Sequence, residues 1–110
     1  MTIKPIAIKH WLAGDVVAGA REFAGRFADS FPSSLESSTS RKARDMAGRA
    51  LGELIEQVVT FQRSRRMGIL KKIVFARAFQ EEMRRLGYSP AFIRQVTSDV
   101  LSKLAFAMKQ

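Results

Sequence analysis

A chain of 110 residues has room for one domain with a modest core and none for a second, and the absence of cysteine excludes disulfides and thiolate metal sites. Hydrophobic residues outweigh charged ones, 46% to 26%, so the chain should fold; its charge is lopsided, with 19 Lys+Arg against 10 Asp+Glu for a net +9. Such an excess attracts a polyanion, nucleic acid before an anionic membrane surface.

Alanine, leucine, glutamate, glutamine, arginine and methionine recur, whereas the strand formers tyrosine and threonine are sparse. The expected fold is therefore all-α, a compact bundle of about four helices forming a single domain over residues 1–110. Met1 to Lys9 lacks a signal-peptide pattern, and Asp15, Arg21 and Glu22 interrupt the first apolar stretch. A soluble, cytoplasmic protein with no membrane association is the expectation.

After Pro5, the residues Trp11 or Leu12, Val16, Ala20, Phe23, Phe27 and Phe31 recur at three- and four-residue steps, predicting a first amphipathic helix. Gly14, Gly19 and Gly25 lie within it. Each glycine costs a helix about 1 kcal/mol, which predicts close approach of another helix backbone, or a kink near Gly14 or Gly19. Pro32 and the serines of "FPSSLESSTS", residues 31–40, end the helix in a flexible loop over about 32–40, with Thr39 or Ser40 as the next N-cap. From Ala43 the series Ala47, Leu51, Leu54, Val58, Phe61 is close to a heptad seam and predicts a second helix.

A third helix should begin near Ile69, with Ile69, Ile73, Ala76, Phe79, Met83 and Leu86 on its core face and Arg77, Glu81, Arg84 and Arg85 opposite. Leu70, Val74 and Ala78 make a second apolar row, read as a candidate interface with another subunit, unless the helix is simply central in the bundle. "GYSP", residues 87–90, combines a stop with a start: Gly87 closes the third helix, Ser89 caps the fourth and Pro90 opens it. Ile93, Val96, Val100, Leu104 and Ala107 or Met108 then form the fourth apolar stripe.

Chemistry-bearing residues are few. His10 is the one histidine, Glu81 and Glu82 have no His or Asp three or four residues on, and "GDVVAG" is followed by Ala20 and Arg21 instead of a phosphate-loop lysine. No catalytic residue, metal site or cofactor is expected.

The basic residues are concentrated. Between Arg41 and Arg77 there are ten (Arg41, Lys42, Arg44, Arg49, Arg63, Arg65, Arg66, Lys71, Lys72, Arg77) against three acids, Asp45, Glu53 and Glu56. Arginines 63, 65 and 66 fall at the end of the second helix, where the macrodipole favours cations. Lys71 and Lys72 fall in the first turn of the third, and Arg41 and Lys42 in that of the second, where it disfavours them. Cations at a helix start, beside unsatisfied N–H groups, are what an anion site requires. For the lysines this holds only if Gly68 separates the two helices.

Residues 86–96, "LGYSPAFIRQV", resemble the turn and recognition-helix half of a helix-turn-helix. The resemblance implies that Ser89, Pro90, Arg94 and Gln95 face a DNA groove. The sequence departs from the motif at Met83 and Glu82, which stand where a small and an apolar residue are usual; an ordinary corner between helices produces the same punctuation and is the favoured reading. Tyr88 and Trp11 do not form a stacking ladder for single strands.

The expectation is thus a non-catalytic protein that contacts the backbone of RNA or DNA through the ten basic residues named above, as one subunit of a larger assembly of other chains or of itself. In size, charge and helicity it is similar to the small helical subunits of CRISPR ribonucleoprotein effectors, an analogy with no motif behind it. The alternatives are a protein-interaction adaptor or inhibitor of phage or plasmid type, and a helix-turn-helix regulator using Arg94 and Gln95.

Overall fold

The structure, a computed structural model, describes the backbone of residues 5–108 and the side chains of residues 14–106. The described residues form four α-helices: α1 (Pro5–Ser30), α2 (Arg41–Arg65), α3 (Ile69–Arg85) and α4 (Pro90–Met108), with a 3-10 turn at Ser33–Leu35. No strand occurs among the described residues. The expected all-α bundle of four helices is what forms. The side chains of His10, Trp11, Leu12, Ala107 and Met108 lie outside the described residues.

Each boundary has a local cause. Ser40 caps α2, its hydroxyl accepting from the Ala43 N–H at 3.1 Å. Ser89 does the same for α4 through Phe92 N–H at 3.3 Å, just before Pro90. Gly87 takes φ +100 at the end of α3, where a side chain would be strained and a Cβ would meet Ser33 Oγ at 3.0 Å.

Helix α1 packs most extensively on α3 and more lightly on α2, while α4 closes the ring between α2 and α3. The consecutive helices α2 and α3 therefore stand diagonally across the bundle, with the rings of Phe61 and Phe75 6.1 Å apart. Small buried residues, Ala20 and Ala24 on α1 and Ala78 on α3, let the best-packed pair approach. The glycines contribute less than expected: a Cβ at Gly14 or Gly25 would meet nothing within 4 Å, and only Gly19 faces a neighbour, the Phe61 ring.

The core is contiguous and aromatic. Phe23 meets the Phe61 ring edge-on at 5.4 Å, Phe75 stacks on Phe79, and Phe31 and Tyr88 both stack on Phe92. Val16, Leu54, Val58, Met83 and Leu104 are the large side chains sealed most completely from solvent.

The serine-rich segment read as flexible is folded over the α3–α4 corner. Leu35 packs against the core, Glu36 Oε1 accepts from the Ser89 N–H at 2.6 Å, and the Tyr88 hydroxyl donates to the Phe31 carbonyl. A carboxylate is well placed there, since it faces the positive end of α4.

Candidate nucleic-acid interface

The site is built by the end of α2 and the start of α3. Helix α2 stops at Arg65, and Arg66 takes the left-handed conformation (φ 50, ψ 53), the one non-glycine residue with positive φ among those described. Met67 turns into the core, 4% exposed, and pins the corner. Gly68 then stands as an extended N-cap with no side chain to offer, and Lys72 N–H donates to its carbonyl at 3.0 Å. Helices α2 and α3 are thus separate, and Lys71 and Lys72 lie in the first turn of α3.

That turn has no side-chain cap and no acid. The N–H groups of Ile69, Leu70 and Lys71 precede the first intrahelical bond and point outward beside two partly exposed lysines. Arg63, Arg65 and Arg66 are exposed on the other side of the turn. Arg65 has structural work as well, pairing with Asp15 at 3.6 Å and lying over the Phe61 ring at 5.4 Å. No acidic residue occurs between Glu56 and Glu81, so the corner is purely cationic along the chain.

Arg41, Lys42, Arg44 and Arg49 are exposed at the opposite end of α2. A 25-residue helix places its first and last residues about 36 Å apart. The ten sequence-predicted residues therefore form two clusters, with Arg77 exposed further along α3, instead of one continuous face. The two helix starts that carry cations are thus too far apart to converge on one anion. At 100° per residue, Arg41, Lys42, Arg49 and Arg63 share one exposed arc of α2 of roughly 120°. Asp45, Glu53 and Glu56 occupy the same arc between them.

The apolar row Leu70, Val74, Ala78 does not survive as one surface. Ala78 is 6% exposed and belongs to the core, Val74 packs against it, and Leu70 is 79% exposed. Ile69 and Ile73, read as core, are exposed as well. The core row of α3 is Phe75, Ala78, Phe79 and Met83, so the helix is rotated from the expected face and its first turn projects beyond the bundle. The larger rings were the signal: Phe75 and Phe79 are four apart and outweigh the isoleucines in buried area.

No family model, curated protein or solved structure matches this chain.

At the α3–α4 turn, Tyr88 is buried and Gln95 Nε2 donates to Asp99 Oδ1 at 3.1 Å, while Arg94 is exposed. The helix-turn-helix-like residues are thus partly spent on building the core corner. Among the described residues no group of His, Cys, Asp or Glu could hold a metal ion, and no helix is long and apolar enough to cross a membrane. Glu82 is held below the usual carboxylate range by its hydrogen bond to Arg85, a surface pair on one helix.

Proposed function

We infer that the protein binds the phosphate backbone of a nucleic-acid duplex through the two clusters at the ends of α2, as one subunit of a larger assembly. The observation that carries this reading is the set of local penalties at the α2–α3 corner. Folding alone favours glycine at position 66 and a cap or an acid in the first turn of α3, yet Arg66 and the two lysines are there. A non-glycine residue in the left-handed region costs about 1 to 2 kcal/mol, and departures from local preference collect at functional sites.

The spacing supports a duplex. About 36 Å along α2 is close to one turn of B-form DNA, about 34–36 Å, after which a backbone strand returns to the same face. The acids of the intervening arc would then face the interval where the strand has turned away. Backbone contact of this kind orients a protein without reading bases.

The test is fluorescence anisotropy with scrambled-sequence duplexes and single strands, in DNA and RNA, over a range of salt. Log affinity should fall linearly with log salt, and alanine at Arg65, Arg66, Lys71 and Lys72 should make the slope shallower by roughly 0.9 per lost contact. Duplexes much shorter than one turn should bind with the slope of a single cluster. No binding at low salt sinks this reading and leaves the protein-interaction adaptor.

A further inference from the structure

The corner also carries surface that phosphate chemistry does not use. Ile69, Leu70 and Ile73 are 76%, 79% and 52% exposed, a convex aliphatic knob on the first turns of α3. Contiguous aliphatic exposure ringed by cations marks an interface with something both apolar and acidic. The same molecule offers such a surface. A groove of about 780 Å³ between α1 and α2 is lined by Phe23, Ile55, Val59 and Phe61, with Glu56 beside them. An adjoining hollow of about 270 Å³ shares Arg26 and Gln57 with it and adds Asp29 and Glu53. Arg26 is already engaged by Glu22 at 2.6 Å, so three carboxylates there face the single further cation Arg63. On a chain of net charge +9 this is a locally acidic apolar seat.

We propose that the Ile69–Leu70–Ile73 knob of one molecule seats in the α1–α2 groove of a second copy, with Arg66 and Lys71 facing Asp29, Glu53 and Glu56. Within one chain the two surfaces do not meet, because the knob stays in solvent while the groove stays open. Knob against knob is disfavoured, since it would bring two sets of the cations at 63, 65, 66, 71 and 72 together. Knob in groove removes aliphatic surface from water and pairs opposite charges. The contact is small, so association depends on concentration. It does not rest on nucleic-acid binding, which is left out of the experiment because Lys71 serves both surfaces.

Sedimentation equilibrium of the full chain over rising concentration reads the contact directly. The wild type self-associates, and Leu70→Glu (knob) and Glu53→Lys/Glu56→Lys (groove) each weaken this by about tenfold or more while circular dichroism stays unchanged. Mixed in equal amounts, the two variants associate with each other, because one keeps an intact groove and the other an intact knob. A wild type that stays monomeric up to its solubility limit overturns the proposal, whether or not Leu70→Glu lowers its binding to anionic phospholipid vesicles. Failure of the mixture to associate overturns it too. Should either variant lose helicity, the chain's lack of cysteine allows a second readout: on mixing, Leu70→Cys and Glu56→Cys form the crossed disulfide well beyond the share that random pairing gives it. A purely statistical distribution, with the crossed form at about twice the yield of either symmetrical one, overturns the proposal.

Discussion

The phenol of Tyr88 donates its hydrogen bond to the main-chain carbonyl of Phe31, 57 residues earlier in the chain, and so ties the α3–α4 turn to the end of α1. Phe27 and Phe92 enclose the ring, at 5.8 and 5.2 Å between centroids. Burial first, then the nearby carboxylates of Glu36 and Asp29, push the Tyr88 pKa from 10.0 up to about 12. A raised pKa means that the folded state favours the neutral phenol. Its contribution is fully present below pH 10 and is lost as pH rises through about 12. Tyr88→Phe should lower stability at neutral pH by about 1 to 2 kcal/mol, because the Phe31 carbonyl loses its partner, and should flatten the alkaline decline. Urea unfolding at a series of pH values between 8 and about 12 checks both; an alkaline slope that survives the substitution contradicts the assignment.

Glycines within α1 should respond with opposite signs. A Cβ at Gly19 would lie 2.7 Å from Phe61 Cζ, and that ring is held by Phe23, Phe75 and Arg65. Gly19→Ala should destabilise by about 1 to 2 kcal/mol, overpacking outweighing the gain in helix propensity. Gly25→Ala meets nothing within 4 Å and should stabilise by up to about 1 kcal/mol. Thermal unfolding of the pair is the measurement, and equal shifts would show that the Phe61 ring yields freely.

At the corner, stability and binding should move in opposite directions. Arg66→Gly removes the left-handed penalty and should raise stability by about 1 kcal/mol while weakening nucleic-acid binding. Lys71→Glu should improve the start of α3 by roughly 0.3 to 1 kcal/mol and weaken binding further, since it adds a charge that phosphate repels. Denaturation and anisotropy on the same samples test this, and a parallel fall in both would remove the reason for reading the corner as a site.

Among the described residues, two buried polar atoms have no hydrogen-bond partner, Gln62 Oε1 and Thr97 Oγ1, in residues that are each 7% exposed. An unpaired buried hydroxyl costs about 1 to 3 kcal/mol, so Thr97→Val should stabilise by about 1 kcal/mol, with the added methyl in place of the hydroxyl. Chemical denaturation gives the sign. A loss of stability would mean that the hydroxyl is satisfied in solution.

Much of the core could be read along the chain. Val16, Ala20, Phe23, Phe27 and Phe31 on α1, and Ile93, Val96, Val100 and Leu104 on α4, are buried as their spacing predicts. On α2 the predicted near-heptad seam ended at Phe61, whereas the most buried line runs through Ala50, Leu54, Val58 and Gln62. From Ala50 the buried line steps by four residues, advancing about 40° at each step, and so winds away from Phe61. Phe61 is then half-buried, turned toward Gly19 on α1. For α3 the pattern offered two apolar rows, and the buried one is neither: its packing on α1 and α4 takes Phe79 and Met83 from the first, Ala78 from the second, and Phe75, which belonged to neither.

Sequence by itself determined the number of helices, most of their ends and the excess of positive charge. Capping by Ser40, the turn at Gly87 and the start at Pro90 depend on atoms a few bonds apart, and charge is a sum over residues. Only the tertiary structure decided that the basic residues form two clusters a helix length apart, that Ile69, Leu70 and Ile73 stand in solvent, and that an apolar groove lies open between α1 and α2 with the carboxylates of Asp29 and Glu53 in the hollow beside it. Burial and spacing depend on which helices become neighbours, and that choice is made by area buried across the whole bundle, not by any single stretch of chain.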